Sequence, residues 1–592
     1  LSSKVKVTSL LSAPDQLACS IASLWDQWDG ARATWKSKVE EVRRYLFSTD
    51  TSTTSNSSLP WKNRTTIPKL CQIRDNLHAH YMASLFPNDN WFTWEAKNED
   101  SASKAKRDII RSYMRNKTRN NDFKDTISDL VLDYIDCGIA IADTEYVRET
   151  YEDAEGVIQN SYVGPKVIRI SPLDIVFDPT APNFDESPKI VRKFYNMGEL
   201  EYIARNIPEK AYYQEAINKM KNDREELRKY QTKEVVDDYN LQIAGVGTYT
   251  EYLRSGTVEI LEFEGNYHDP VSGEYYQNQK IVVADRRYIL HQAPMDTIHG
   301  KSTKVMVGWR KRPGNLYAMG PLENLVGLQY RIDHLENLKA DAFDLIAFPV
   351  FKIVGDVNDF NYGPMEKIYC GEEGDVQMMH PDVTALNADM QIAVLEQKME
   401  EMAGAPKQAM GFRTPGEKTA FEVQVLENGA SRIFQSKVNQ FEEQFLERIL
   451  NNMLERARTH MDVDTIRDVD EFGAEVFRSI TAHDLRADGT LHPVGARHFT
   501  QKAQAVQNLI QFLNSAAGQD PTVTAHISGL KIAEAMEELL ELKPYGLVKN
   551  GVRLEEQAML TALSQQLNAA LQRQSMRPDP VEQEIADASE MA

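Results

Sequence analysis

The 592-residue chain is 42% hydrophobic and 26% charged, ordinary values that allow several domains with real cores. Its net charge of −21 excludes a protein that grips nucleic acid over its whole surface, leaving only a local basic patch or deliberately weak attraction. No run approaches the roughly 18 apolar residues of a membrane-spanning helix, and mean hydropathy is −0.48.

No basic segment followed by an apolar core opens the sequence, so no signal peptide is read there. Cys19, Cys71, Cys137 and Cys370 are scattered without CxxC spacing, which suits a reducing cytoplasm better than disulfides or structural zinc.

Pro14 to about Phe47 has a helical pattern in which Trp25, Trp28 and Trp35 recur at core-like spacings. Ser48 to Ser58 reads as a polar, mobile loop. Thr66 to Leu85 is a second helix, and Trp91 to Trp94 a short strand or packed turn. Ser101 to Ile135 is helical and locally basic, with Arg107, Arg111 and Arg115 on one face, either a solvated face or a phosphate contact. From Ile139 to Gly308 the texture is that of strands with turn punctuation, interrupted by charged helix from Gly198 to Gln242.

A helix is predicted from Gly320 to Ile346, its polar face carrying Glu323, Asp333, Glu336, Asp341 and Asp344 against only Arg331 and Lys339. Strands at Val350–Val354 and Val376–Met379 lead to a second acid-rich helix, about Leu386 to Met402. A Gly/Pro-containing loop, Gly404 to Lys418, precedes a helical pattern of roughly 40 residues from Thr419, about 60 Å long if unbroken. Its inward residues are Phe434, Val438, Phe441, Phe445, Ile449 and Met453. Three further helices are read between Phe499 and Leu571.

Sites for chemistry are scarce. Gly300-Lys301-Ser302 resembles the end of a P-loop, but Met295 stands where the motif needs glycine, and Val305 to Val307 reads as a strand rather than the required helix. No metal-ligand spacing, nucleophile motif or isolated carboxylate pair appears, so no catalytic, metal or cofactor residue is assigned.

Several stretches carry a resemblance: Ser171 to Asp178 (SPLDIVFD), Tyr317-Ala318-Met319-Gly320-Pro321 opening a helix, and Gly411 to Glu422 with its Thr-Ala-x-Glu junction. With the helix, strand-containing insert, helix, loop and long helix order, the chain resembles the portal proteins (head-to-tail connectors) of tailed bacteriophages. The segment from Leu59 to Trp91 looks most like those of short-tailed phages.

The resemblance implies an α+β, multidomain fold. Its parts would be a wing (1–319), stem helix 1 (320–347), a clip (348–384), stem helix 2 (385–403), a channel loop (404–418), a long crossing helix with the rest of the wing (419–498), and a helical crown (499–592). It implies a ring oligomer, a dodecamer in the family, at one vertex of the virion capsid after assembly in the host cytoplasm. The ring would package, retain and eject the genome. Double-stranded DNA would be contacted without sequence specificity, with the major capsid protein, terminase and tail adaptor proteins as partners and no membrane insertion.

Twelve copies would carry about −250 before counterions, and an acid-rich wall would let a duplex slide. Transient phosphate contact would fall to Lys407, Arg413 and Lys418 in the loop, and to Arg331 and Lys339 on the stem. The alternatives are another virion component, such as a tail adaptor or ejection protein, or a nucleotide-hydrolysing enzyme.

Overall fold

The computed structural model describes residues 14–494 except 61, 89–90, 98–103, 120–121, 153–157, 179, 208–209, 231–255, 269–272, 274, 349, 356, 359–368, 371–373, 380–386, 404–431 and 470–474, together with 509, 511, 512, 532, 533 and 536. The fold is mixed α+β. Leu1–Asp464 with Ser479–Gly495 form one compact unit, and Thr465–Arg478 with Ala496–Ala592 a second. The crown helices read after Phe499 and residues 419–431 of the long helix lie outside the described residues.

The first helical pattern folds as two helices, α1 (Pro14–Ala31) and α2 (Ala33–Phe47), broken at Arg32. That guanidinium donates to the carbonyls of Pro172, Leu173 and Ile175 at 2.6–2.7 Å and to Asp29 at 2.8 Å. Trp25, Trp28 and Trp35 are buried, in agreement with their spacing. The stretch expected to be a mobile loop is instead two 3-10 turns, Thr51–Thr53 and Ser55–Ser58, with Thr51, Thr54 and Asn56 buried. The Asp50 carboxylate accepts from Ser52 N–H, and Thr54 Oγ1 donates to the Thr51 carbonyl. Short polar side chains satisfy nearby backbone groups, so such a stretch orders without an apolar pattern. Next come α3 (Lys69–Leu85), β1 (Phe92–Ala96), α4 (Lys104–Arg119) and α5 (Phe123–Asp136).

Two antiparallel sheets follow. β2 (Ile139–Glu152) and β3 (Ile158–Ile170) join β11 (Val305–Gly308) in the order β11-β2-β3. The other sheet runs β4 (Ile175–Phe177), β5 (Lys189–Asn196), β6 (Thr257–His268), β7 (Tyr275–Ala284) and β8 (Tyr288–Pro294). Period-two alternation divides its two faces. Leu261, Phe263, Ile281 and Val283 pack with Ile21 and Trp25 of α1. Val258, Ile260, Val282 and Ala284 pack with α6 (Met197–Asn206) and α7 (Gln214–Tyr230), two helices where one charged helix was expected from Gly198 to Gln242, residues 231–242 of it lying outside the described residues.

Burial on both faces forces the charges of β6 to find partners. Glu259 pairs with Arg286 (2.9 Å) and Glu262 with Lys193 (2.9 Å). Lys304, just before β11, reaches Asp143 of β2 (2.8 Å) and Glu264 of β6 (2.6 Å), so one buried ammonium joins the two sheets. Burial alone would raise the Asp143 carboxyl and lower the Lys304 amine. Their mutual attraction reverses both, holding Asp143 well below the carboxylate range and Lys304 well above the usual lysine value.

β9 (Thr297–Ile298) and β10 (Lys301–Ser302) form a hairpin turned by His299 (φ 50°) and Gly300 (φ 76°). β11 follows it, so the Gly300-Lys301-Ser302 stretch precedes a strand and presents no helix N-terminus. β12 (Arg310–Arg312) and β13 (Asn315–Met319) make another hairpin. Tyr317 in β13 stacks on Phe177 (centroids 4.5 Å) and meets Trp35 (5.0 Å). There Gly138, with φ 76°, lies so close to Gly320 that a Cβ on it would sit 2.3 Å from the Gly320 nitrogen.

The helix predicted from Gly320 begins at Val326, because residues 321–325 form a turn; it is α8 (Val326–Ala347). β14 (Val350–Val354) pairs with β17 (Asp375–Met379), and β15 (Val357–Asn358) with β16 (Tyr369–Cys370). α9 (Ala388–Ala403) then packs against α8. Within its described part the long helix comprises α10 (Arg432–Phe441), a π turn at Glu442–Leu446 in which Glu447 N–H donates to the Glu442 carbonyl, and α11 (Glu447–His460). α11 covers β2 and β3. β18 (Val463–Val469) pairs with β19 (Glu475–Thr481), and β20 (Gly489–Pro493) pairs with β1. No helix among the described residues is long and apolar enough to cross a membrane.

Substituting Lys304→Met removes the buried cation shared by Asp143 and Glu264, leaving Glu264 only Lys280 at 3.6 Å, and should destabilise the fold by about 3–5 kcal/mol. Chemical unfolding of wild type and variant at neutral pH measures this, and a loss under about 1 kcal/mol would show that the triad does not hold the sheets together.

Candidate functional site

The region with the most unusual surface is built from α8, the β14–β17 ribbon and α9. Along α8, Gln329, Asp333, Asn337 and Asp341 follow one another four residues apart and so share one face. Gln329, Asp333 and Asn337 are fully buried. They meet residues 62–70, an extended arm running into α3. A backbone laid flat on a helix gains no ladder, so its N–H and C=O groups need side-chain partners.

The row supplies them. Lys62 N–H donates to Asp341 Oδ2 (3.2 Å), and Asn63 N–H to Asp341 Oδ1 (3.0 Å). Thr65 N–H donates to Asn337 Oδ1 (2.8 Å), whose Nδ2 returns a bond to the Thr65 carbonyl (2.7 Å). Ile67 N–H and Thr66 Oγ1 both donate to Asp333 Oδ1 (3.2 and 3.0 Å). Leu70 N–H donates to Gln329 Oε1 (3.1 Å), and Gln329 Nε2 to the Ile67 carbonyl (2.5 Å). Asn63 Nδ2 also reaches Asp344 Oδ2 (2.7 Å).

The acidic face of α8 therefore differs from the outward polar wall read from the sequence. Asp333, Asp341 and Asp344 bind the arm. Glu323 pairs with Lys38 (2.7 Å) and Arg312 (3.5 Å), and Glu336 with Lys339 (2.7 Å). On α9, Glu400 is buried against Lys69 (2.7 Å), while Glu401 is exposed.

Of the five residues singled out as channel contacts, Arg331 and Lys339 are described. Lys339 lies between Glu336 and Asp389 (2.8 Å), tying α8 to α9; these hydrogen bonds raise its amine above the usual value. Arg331 is exposed on α8, about 12 Å of helix rise from Lys339. Lys407, Arg413 and Lys418, with the whole of 404–418, lie outside the described residues.

Most of the large apolar side chains exposed among the described residues lie between Leu338 and Met402. Phe343, Ile346 and Phe348 crowd the end of α8, Phe348 being 81% exposed. In β14, Val350 and Val354 face one side and Ile353 the other, all exposed. On α9, Met390 and Val394 are exposed as well. A two-stranded ribbon is marginal alone in water, and an apolar patch of this extent marks an interaction surface.

Among the described residues no group of three or more His, Cys, Asp or Glu side chains is arranged to hold a metal ion. No protein-family model and no curated protein matches the chain. The arm contact was missed in the sequence, although the four-residue recurrence of Gln329, Asp333, Asn337 and Asp341 was its signal; the periodicity shows a face, not what the face meets.

Asp333 gives this contact a pH dependence. Burial raises its carboxyl to about 6, against the opposing effect of the Ile67, Thr66 and Gln329 hydrogen bonds. Its Oδ2 is buried without a hydrogen-bond partner among the described residues. A carboxyl with a raised folded value favours the folded arm at low pH, and that contribution, about 3 kcal/mol, is lost as pH rises from about 4 to about 6. Hydrogen exchange at the Thr65, Ile67 and Leu70 amides, corrected for intrinsic rates, should show protection falling across this window. The fall should vanish in Asp333→Asn, and an identical pH response in the two proteins would refute the assignment.

Proposed function

We propose that this chain is the portal protein of a tailed bacteriophage, forming a ring at one capsid vertex through which the genome is packaged, retained and ejected. The observation that carries the reading is the helix–ribbon–helix unit of α8, β14–β17 and α9, which follows the mixed α+β body and holds most of the exposed large apolar side chains. α8 and α9 would be the stem, the ribbon part of the clip, α10 and α11 the described part of the crossing helix, and residues 499–592 the crown. Side-by-side copies would cover the apolar patch.

The protein would act passively, with a separate ATPase driving DNA. Stem acids engaged within the subunit add less repulsion than a bare acidic wall, and Lys339, held by two carboxylates, adds little attraction. Transient phosphate contact falls mainly to Lys407, Arg413 and Lys418, with Arg331 on the stem. The clip would dock terminase first and tail adaptor proteins later, and the rest of the ring would face the major capsid protein.

Electron micrographs of the purified protein should show rings, dodecameric by family resemblance, with a hole wide enough for a duplex. Particles that remain monomers or dimers at high concentration would overturn the proposal. The double substitution Val350→Asp/Val354→Asp should shift the mass distribution toward monomers by tenfold or more, since each buried charge costs well over about 1.4 kcal/mol. Lys301→Ala should leave assembly unchanged.

A further inference from the structure

α4 departs from the charge of its chain. Within its 16 residues, Lys104, Lys106, Lys117 and four arginines stand against the single acid Asp108, in a protein of net charge −21. The arginines are Arg107, Arg111, Arg115 and Arg119, each four residues from the last. The helix buries Ile110, Tyr113 and Met114 completely, which turns the arginine row toward the flank and outer face. Arg115 and Arg119 are exposed, and the Arg107 and Arg111 side chains are partly so. Asp108 approaches Arg107 Nε only to 3.9 Å, and that buried Nε donates no hydrogen bond among the described residues. Lys117 belongs to the inner side, where Asp464 (2.5 Å) and the Val163 carbonyl (2.6 Å) hold it.

We infer that this arginine row is a further DNA-contacting surface, on residues other than the proposed channel contacts, that takes the phosphodiester backbone of duplex DNA. Twelve residues of helix span about 18 Å, the rise of about five base pairs along one strand. The arginines are about 6 Å apart along that line, and their planar forks match phosphate oxygens. Such a surface carries no base readout, so it holds any sequence equally. A second copy's acidic surface is the competing occupant. Glu323 just before α8, Glu336 and Asp341 on α8, and Asp389 on α9, however, already have partners within the chain.

The inference extends the portal reading, since duplex DNA is the partner in both, but the two fail separately. Binding of labelled duplexes of two unrelated sequences to the full chain, followed by fluorescence anisotropy between about 50 and about 200 mM NaCl, tests it. Arg115→Gln/Arg119→Gln removes two exposed contacts without touching the core, which a thermal melt would check. Relative to wild type, its plot of log K against log[salt] should be shallower by about 1.8, so the salt-induced loss of affinity is about 12-fold smaller, alike for both sequences. Replacing Lys407, Arg413 and Lys418 by Gln should leave that difference intact. An unchanged slope would overturn the inference. So would a chain that binds no duplex at about 50 mM salt, or a double variant with altered particle size and unaltered DNA binding. Rings with no slope change would leave the portal reading standing alone; a slope change without rings would do the reverse.

Discussion

An extended backbone pressed against a helix loses water from its amides and has no ladder to replace it. Residues 62–68 are in that position, and what allows it is the chemistry of one row on α8. Amide side chains both donate and accept, so Asn337 and Gln329 each close a reciprocal pair with the arm, while Asp333 and Asp341 only accept. The arm in turn enters α3, whose Lys69 reaches Glu400 of α9. The two helices are thus braced from one side by polar contacts. This leaves apolar side chains at the ribbon and helix ends free for a different surface. The orientation of the presented patch depends on this bracing.

A second constraint acts in the sheets. β6 is covered on both faces yet carries three glutamates, and each has a cation within the fold. Buried ion pairs of this sort add little net stability over apolar packing, but a missing partner is costly, so they penalise misregistered strands. Lys304 is the extreme case, because its two partners come from different sheets and only the correct apposition brings both carboxylates to the one ammonium.

Much of this architecture was legible in sequence, and what was not shares one cause. The tryptophan spacing, the strand runs from Ile139 to Gly308, the strand at Val305 to Val307, and the two acid-rich helices with strands between them all rest on local periodicity or turn chemistry, which the chain carries in plain order. The break at Arg32 depends on carbonyls some 140 residues away, and the Lys304 triad on two strands that only the fold brings together. The acidic residues of α8 were legible as a face, but an arm of backbone has no side-chain pattern that announces its docking. Of the residues singled out as channel contacts, only Arg331 and Lys339 are described, and the carboxylates flanking Lys339 come partly from a helix some 50 residues later.

The π turn between α10 and α11 has a bearing on how the long helix is phased. Phe441, Phe445, Ile449 and Met453 recur at intervals of four, longer than the 3.6-residue period, and an unbroken α-helix would carry such a row steadily around its axis. The wider loop closed by the Glu442 carbonyl absorbs the surplus, so all four stay inward. The helix is therefore two rods with different rotational settings joined by one extra residue. Deleting one residue there would restore regular winding and leave the inward rows of the two rods within about 20° of their present setting.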